Sequence, residues 1–324
     1  MKVNETIRMI EEGRMDSLLI QLYGEEKLTD SRERCRMVLD GYGKTFGTEE
    51  DVLLFSSPGR TEISGNHTDH NHGKVLAGSI NLDCLGVAAK NASCQVRIVS
   101  ETYGQDFTID LNHLEPSAKK AGTADLVKGI LKGFEESGCS VGGFNAYVTS
   151  NVISAAGVSS SASFEMLLCS MLNVFFNEGR MDTVAYAHIG KYAENHYWDK
   201  ASGLLDQMAC AVGGLITIDF CEPAVPVVEK IDFDFASQGH SLIIVQTGKG
   251  HADLSADYSA VPEEMKRVAA FFGKEVLAQI SEEDVIAHLP EIRKAAGDRS
   301  VLRALHFFEE NKRVEAEVQA LKDG

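Results

Sequence analysis

The run Ala155-Ala156-Gly157-Val158-Ser159-Ser160-Ser161-Ala162-Ser163 sits between two stretches of opposite character. Upstream, Phe144-Asn145-Ala146-Tyr147-Val148-Thr149 is rich in aromatic and β-branched residues with partial alternation, which predicts a strand. Downstream, Phe164, Met166, Leu167, Leu168, Met171, Leu172, Val174, Phe175 and Phe176 cover most faces of a helix and predict that it is buried. A small-residue loop feeding such a helix leaves backbone N–H groups free at the positive end of the helix dipole. That is an anion site, with phosphate as its usual occupant. Gly157 permits close approach of backbone to ligand, and the serine hydroxyls add hydrogen bonds or a Mg²⁺ ligand. The residues alone leave two readings open, a phosphate loop or a serine-capped helix start with no ligand. A Walker loop is excluded, because its G-x-x-x-x-G-K-[ST] spacing occurs nowhere in the chain.

Composition narrows the class. The 324 residues carry a net charge of −17, with 44% hydrophobic and 24% charged residues. Such a chain can bury a sizeable core in one large domain or two lobes. The acidity argues against nucleic acid or an anionic membrane as partner, because both select basic patches. ATP remains a possible ligand, held through backbone amides and Mg²⁺. The seven cysteines form no C-x-x-C pair and lie partly in apolar runs, which predicts buried thiols in a reducing compartment. With no signal-peptide core at Met1-Lys2-Val3-Asn4-Glu5 and no 18-residue apolar run, the expectation is a cytoplasmic protein.

Along the chain, residues 1–50 carry helical spacing, and Val52-Leu53-Leu54-Phe55 reads as a short buried strand ended by a Pro58-Gly59 turn. The densest polar cluster follows, from Arg60 to Gly73. Residues 75–77 and 82–89 read as sheet, and 95–99 with 107–111 as an antiparallel hairpin. Helices are expected over 123–135 and 181–198, with a short one holding Asp206 and Gln207. Strands are expected at Leu215–Ile218 and Ser241–Val245, with a lobe boundary at Gly213-Gly214 that makes 1–212 and 213–324 the two lobes. From Pro262 onward the pattern is helical. Strands and helices without strict βαβ alternation predict an α+β fold.

Four groups carry chemistry: the Arg60–Asp69 cluster, the serine loop, Glu194 and Asp206. Taken singly, each carboxylate is an ordinary surface or capping acid. Taken together they match phosphoryl transfer. A loop holds phosphates, a hydroxyl and a carboxylate hold Mg²⁺, and a second carboxylate beside an arginine orients the attacking hydroxyl. A metal-dependent hydrolase is the rival. His67, Asp69, His70 and His72, completed by His251 and Asp253, have ligand-type residues at usable spacings. The H-x-D-H-x-H spacing matches no common zinc pattern, and a hydrolase leaves the serine loop unexplained.

Residues 58–71, from Pro58 to Asn71, resemble the galactokinase signature G-R-x-N-x-I-G-E-H-x-D-Y. Gly157-Val158-Ser159-Ser160-Ser161-Ala162-Ser163 is similar to the G-L-S-S-S-A-S phosphate loop of that family and of the GHMP kinase superfamily. Ala193-Glu194 and Gly203-Leu204-Leu205-Asp206-Gln207 resemble its A-E-H…G-x-x-D-Q segment at the same interval. The resemblance implies a two-lobed GHMP kinase fold with mixed sheets and helices. It also implies an ATP-dependent, Mg²⁺-requiring kinase that phosphorylates the anomeric hydroxyl of galactose. Carried over by position, Asp206 is the catalytic carboxylate and Arg60 its neighbour. Ser161 and Glu194 coordinate Mg²⁺, and Gly157, Val158, Ser159, Ser160, Ser161 and Ala162 wrap the ATP phosphates. Asn66, His67, Asp69, Gly203 and Tyr258 hold the sugar.

Departures from the pattern bear on substrate. Asn66 stands where the family has a glutamate expected to bind a sugar hydroxyl, Glu62 takes the asparagine position and His70 the tyrosine position. The sugar is galactose or a relative, an N-acetylated sugar or a uronic acid. Ile153-Ser154-Ala155-Ala156 replaces a more glycine-rich approach to the phosphate loop. The superfamily's third glycine-rich motif is absent before Gly324, so the expectation is an incomplete C-terminal lobe, self-association through it, and weak activity without that association. A non-catalytic galactose/ATP sensor on the same scaffold is the alternative function.

Overall fold

Apolar residues spaced among charges in the first fifty positions fold into α1 (Val3–Glu11), α2 (Asp16–Tyr23) and α3 (Leu28–Phe46). The computed structural model describes residues 1–118, 122–154, 156–198, 202–245 and 255–324. The strands are β1 (Leu53–Ser64), β2 (Lys74–Lys90), β3 (Gln95–Ser100), β4 (Gln105–Asp110), β5 (Phe144–Ser150), β6 (Leu215–Asp219) and β7 (Val227–Ile231). The remaining helices are α4 (Thr123–Glu136), α5 (Ser160–Phe176), α6 (Thr183–Tyr197), α7 (Leu205–Val212), α8 (Ser255–Phe271), α9 (Glu282–Ala287), α10 (Leu289–Ala296) and α11 (Asp298–Asp323).

Contacts divide the chain into two compact units: 1–59, 80–153 and 159–202 form the first, and 60–79, 154–158 and 203–324 the second. The sequence suggested a single cut between residues 212 and 213; the units are instead interleaved along the chain.

In the first unit β4, β3, β5 and the second half of β2 lie side by side. β3 runs antiparallel to β4 and parallel to β5, and β2 pairs antiparallel with β5, Cys84 opposite Ser150. Successive residues of β2 face opposite ways. Leu85, Val87 and Ala89 pack with Leu39, Tyr42 and Val52 on the α1–α3 side. Gly86 turns the other way, where an added Cβ would meet Met171 and Leu167 of α5. α5 has buried residues on nearly all its faces, as its sequence predicts.

The second unit pairs the first half of β2 with β6, Lys74 opposite Asp219, and β6 with β7, Leu215 opposite Ile231. Val314 and Val318 of α11 cover Leu76, Leu215 and Ile231. Met265, Leu277, Ile292 and Phe307 fill the core among α8, α10 and α11.

Two local expectations are corrected. No turn ends β1 at Pro58-Gly59; the strand continues to Ser64. Proline cannot donate to a ladder, yet it is tolerated where its N–H is not needed. Two residues on, the Arg60 N–H donates outside the sheet, to the carbonyl of Val158 in the loop before α5, at 3.1 Å. Ser241–Val245 is not a strand: Leu242, Ile243 and Val245 are exposed and no strand pairs with them among the described residues. An apolar run becomes a strand only when a neighbouring edge takes its backbone groups.

Asp83 on β2 is a buried charge held by several donors in the first unit. Its carboxylate accepts from Tyr23 Oη at 2.6 Å, from Ser56 Oγ at 2.5 Å and from Arg34, and Arg34 Nη2 also reaches the Asp83 carbonyl at 3.1 Å. Removing one partner of such a pair leaves the other charge uncompensated. Asp83→Ala is expected to lower the unfolding free energy by about 3–5 kcal/mol in urea titrations. A loss below about 1 kcal/mol, the size of an exposed pair, would contradict it.

Candidate active site

Asp206 lies in the first turn of α7, where the helix dipole favours negative charge. Arg60 on β1 meets it: Nε donates to Asp206 Oδ1 at 2.9 Å and Nη2 to the same oxygen at 2.5 Å. The third guanidinium nitrogen, Nη1, donates to the Gly157 carbonyl at 2.5 Å. Burial works against the charge on Arg60, whose side chain is only 12% exposed, but the Asp206 carboxylate more than offsets it and raises the arginine above its ordinary range. One buried cation therefore fixes a carboxylate and the serine loop's approach together, all within the second unit.

The signature residues form a tight turn after β1. Thr68 is fully buried, and its hydroxyl donates to the carbonyls of Gly65 at 2.9 Å and Lys74 at 2.8 Å. His67 sits in the left-handed region at φ 60°. Its ring packs edge-on against Tyr258, with centroids 5.5 Å apart, and burial holds its pKa below the usual histidine value. The Asp69 side chain is 8% exposed and lies 2.8 Å from His70 Nδ1. Burial would raise the Asp69 pKa, but the His70 hydrogen bond and the two histidine charges win and lower it. Gly203 is required by this packing, since a Cβ there would lie 1.9 Å from Asp69 Oδ2. Asn66, His67, Asp69, Gly203 and Tyr258 all belong to the second unit.

Glu62 stands two residues after Arg60 on β1, on the same side of the strand. Burial pushes its carboxyl up to about 7; Arg60 opposes the rise, and the charges of Asp69 and Asp206 add to it.

In the first unit Ser159 opens α5 in the left-handed conformation, φ 57°, and makes no side-chain cap on the helix. The serine-capped reading of this loop is therefore not what the structure contains. Ser160, Ser161 and Ala162 occupy the first helical turn, whose N–H groups have no partner within the helix. Gly157, on the second unit's side of the loop, is exposed with φ 72°. Ser163 Oγ donates to the Ser57 carbonyl at 2.7 Å and anchors the helix start. Ser161 Oγ donates to Glu194 Oε1 at 3.0 Å, and Ser202 donates to Glu194 Oε2. Glu194 is fully buried on α6, so it is no ordinary surface acid. A buried carboxylate beside a hydroxyl is the hard-oxygen donor set that suits Mg²⁺.

Other groups were not legible as site residues. Glu310 of α11 is 6% exposed and accepts from the backbone N–H of Gly65 at 2.9 Å and of Asn66 at 3.3 Å. His306 Nε2 lies 2.9 Å from the Asn66 carbonyl, and Asn311 Oδ1 accepts from the Lys74 N–H at 2.8 Å. These residues lie some 240 positions from the turn they hold, in a charged helix that gives no local signal. His251 and Asp253, the proposed completion of a zinc site, lie outside the described residues, as does the segment 246–250. Among the described residues no three His, Cys, Asp or Glu side chains converge as a metal cluster, and no helix is long and apolar enough to cross a membrane.

Burial raises the Glu310 pKa, but the two backbone donors and Arg313 outweigh it and the net shift is downward. A depressed carboxylate contributes stability above its unfolded pKa and loses it as pH falls through the folded value. Glu310→Gln is expected to cost about 1–3 kcal/mol at pH 7, with the deficit shrinking below pH 4.5 in thermal melts. A deficit independent of pH would mean that charge is not what holds the turn.

Residues 40–90 match the model of the galactokinase galactose-binding signature, and residues 125–214 that of the GHMP kinase N-terminal domain. The galactokinase of Pyrococcus furiosus is 30% identical over 276 residues, covering 84% of this chain and 72% of that protein. The galactokinase of Clostridium tetani is 29% identical, covering 84% and 68%. Among solved structures, Lactococcus lactis galactokinase complexed with galactose superposes with a TM-score of 0.72 at 24% identity, over 88% of this chain and 74% of that one. Methanococcus jannaschii mevalonate kinase shares the fold at a TM-score of 0.50, over 82% and 80%. With the signature turn, the serine loop and the Arg60–Asp206 pair in place, the chain belongs to the galactokinase family of GHMP kinases.

Proposed function

We propose that the chain is a cytoplasmic, ATP- and Mg²⁺-dependent kinase that converts galactose to galactose 1-phosphate. The observation that carries this reading is the single guanidinium of Arg60, hydrogen-bonded to Asp206 and to the Gly157 carbonyl. Phosphoryl transfer needs little covalent chemistry from a protein; it needs positioning and charge stabilisation. In this reading Asp206, held at Oδ1 by Arg60, faces the anomeric hydroxyl and takes up or orients its proton. Arg60 offsets negative charge as the phosphoryl group moves. Asn66, His67, Asp69, Gly203 and Tyr258 hold the sugar hydroxyls, for which a buried carboxylate such as Asp69 is a strong acceptor. Gly157, Val158, Ser159, Ser160, Ser161 and Ala162 wrap the ATP phosphates. The buried Ser161–Glu194 pair supports a Mg²⁺ site, and the ion there would neutralise phosphate charge. Seven cysteines with no C-x-x-C spacing, four of them buried (Cys35, Cys84, Cys169 and Cys210), support a reducing compartment.

The test is ADP release over a sugar panel with Mg²⁺–ATP. Turnover should appear with galactose, and Asp206→Asn should lower it by about 10²-fold or more. Near-normal turnover in that variant would remove Asp206 from the mechanism. Binding of both ligands with no ADP would mark a sensor instead. Gly203→Ala should raise the galactose KM about tenfold while the ATP KM stays within about twofold, because the added methyl displaces Asp69 from the sugar side only. An equal rise in both would refute that assignment.

A further inference from the structure

Asn66 is pinned on three sides. Its N–H donates to Glu310 at 3.3 Å, its carbonyl lies 2.9 Å from His306 Nε2, and its side-chain Nδ2 lies 3.5 Å from Glu62 Oε2, at the long end of hydrogen-bond range. The remaining polar atom, Oδ1, has no hydrogen-bond partner among the described residues, and the residue is exposed. Glu62 itself is held from behind: it accepts from the His67 backbone N–H, and its Oε1 is buried with no partner among the described residues. The two residues exchange the types that the signature has at these positions, with glutamate at 62 and asparagine at 66.

We propose that Glu62 is a specificity-determining positioning residue that fixes the Asn66 side-chain amide with its N–H inward and its Oδ1 outward as a sugar-hydroxyl acceptor. An amide on an exposed turn can present either its donor or its acceptor face to a ligand. Glu62 only accepts when ionised, so above the value of about 7 to which burial pushes its carboxyl it is satisfied by one of these faces alone. Glu62 therefore selects the face that imitates the acceptor the signature takes from a carboxylate at position 66. The exchange keeps an acceptor towards the sugar and moves the acid one layer inward, beside Arg60. This inference rests on the galactokinase reading above.

The experiment measures galactose affinity by calorimetry, and galactose KM and kcat by ADP release, for the parent chain, Glu62→Leu, Asn66→Ala, the Glu62→Leu/Asn66→Ala double variant and the Glu62→Asn/Asn66→Glu exchange. Glu62→Leu is expected to raise KM and the dissociation constant about tenfold with kcat within about threefold. Because Glu62 acts through Asn66, the double variant should be no weaker than Asn66→Ala alone. The exchange, which rebuilds the signature order, should return KM to within about threefold of the parent and also serves if Glu62→Leu fails to fold. Additive single effects, an unchanged KM in Glu62→Leu, or no recovery in the exchange would overturn the proposal while leaving the kinase reading intact. A parent chain that neither binds nor phosphorylates galactose would overturn both.

Discussion

Within the second unit, the placing of Asp206 and of the Gly157 carbonyl depends on one largely buried guanidinium. Arg60 has five N–H donors in a rigid planar fork and cannot lose its charge, so a lysine could not substitute for it. Its two inner contacts fall on one oxygen of Asp206 and its outer nitrogen takes a backbone carbonyl at Gly157. Burial makes the arrangement obligatory. A cation this dry that lost Asp206 would have too few acceptors, so carboxylate, strand and loop are held as one set.

The turn that follows Arg60 is held by a different device. Thr68 closes it from within, while Glu310, His306 and Asn311 of α11 take its outward backbone groups. Backbone amides that converge on one buried carboxylate make strong, charge-assisted bonds. Such support explains how His67 and His72 remain in the left-handed region, which costs a residue with a side chain about 1–2 kcal/mol. α11 thus does more than cover β2 and β6; it holds the backbone of the signature turn.

In a chain with a net charge of −17, positive potential is local rather than spread over a basic surface. The start of α5 carries the positive end of its helix dipole, and Arg60 adds a single, largely enclosed charge. Glu194 sits among hydroxyls of Ser161 and Ser202, which stabilise a buried carboxylate and leave it suited to a hard cation.

Much of this was legible in the chain. The hydrophobic face pattern of 164–176, the alternation at 95–100 and 105–110, and the glycine-serine loop follow from local geometry that any short window carries. Arg60, Asp69, Glu194 and Asp206 stood out because their types suit one chemistry, and Gly203 only through the resemblance of its segment to the galactokinase G-x-x-D-Q pattern. The strand through Pro58-Gly59 and the exposure of Ser241–Val245 were not legible, since each depends on whether a distant backbone group is present to accept or donate. Nor were Glu310 and His306, because contacts that span some 240 residues leave no trace in periodicity. Sequence by itself determined which residues could do the chemistry. Only the tertiary structure decided which of their polar atoms face inward and are spent on one another, because hydrogen bonds are directional and a side chain's orientation is set by its neighbours in space.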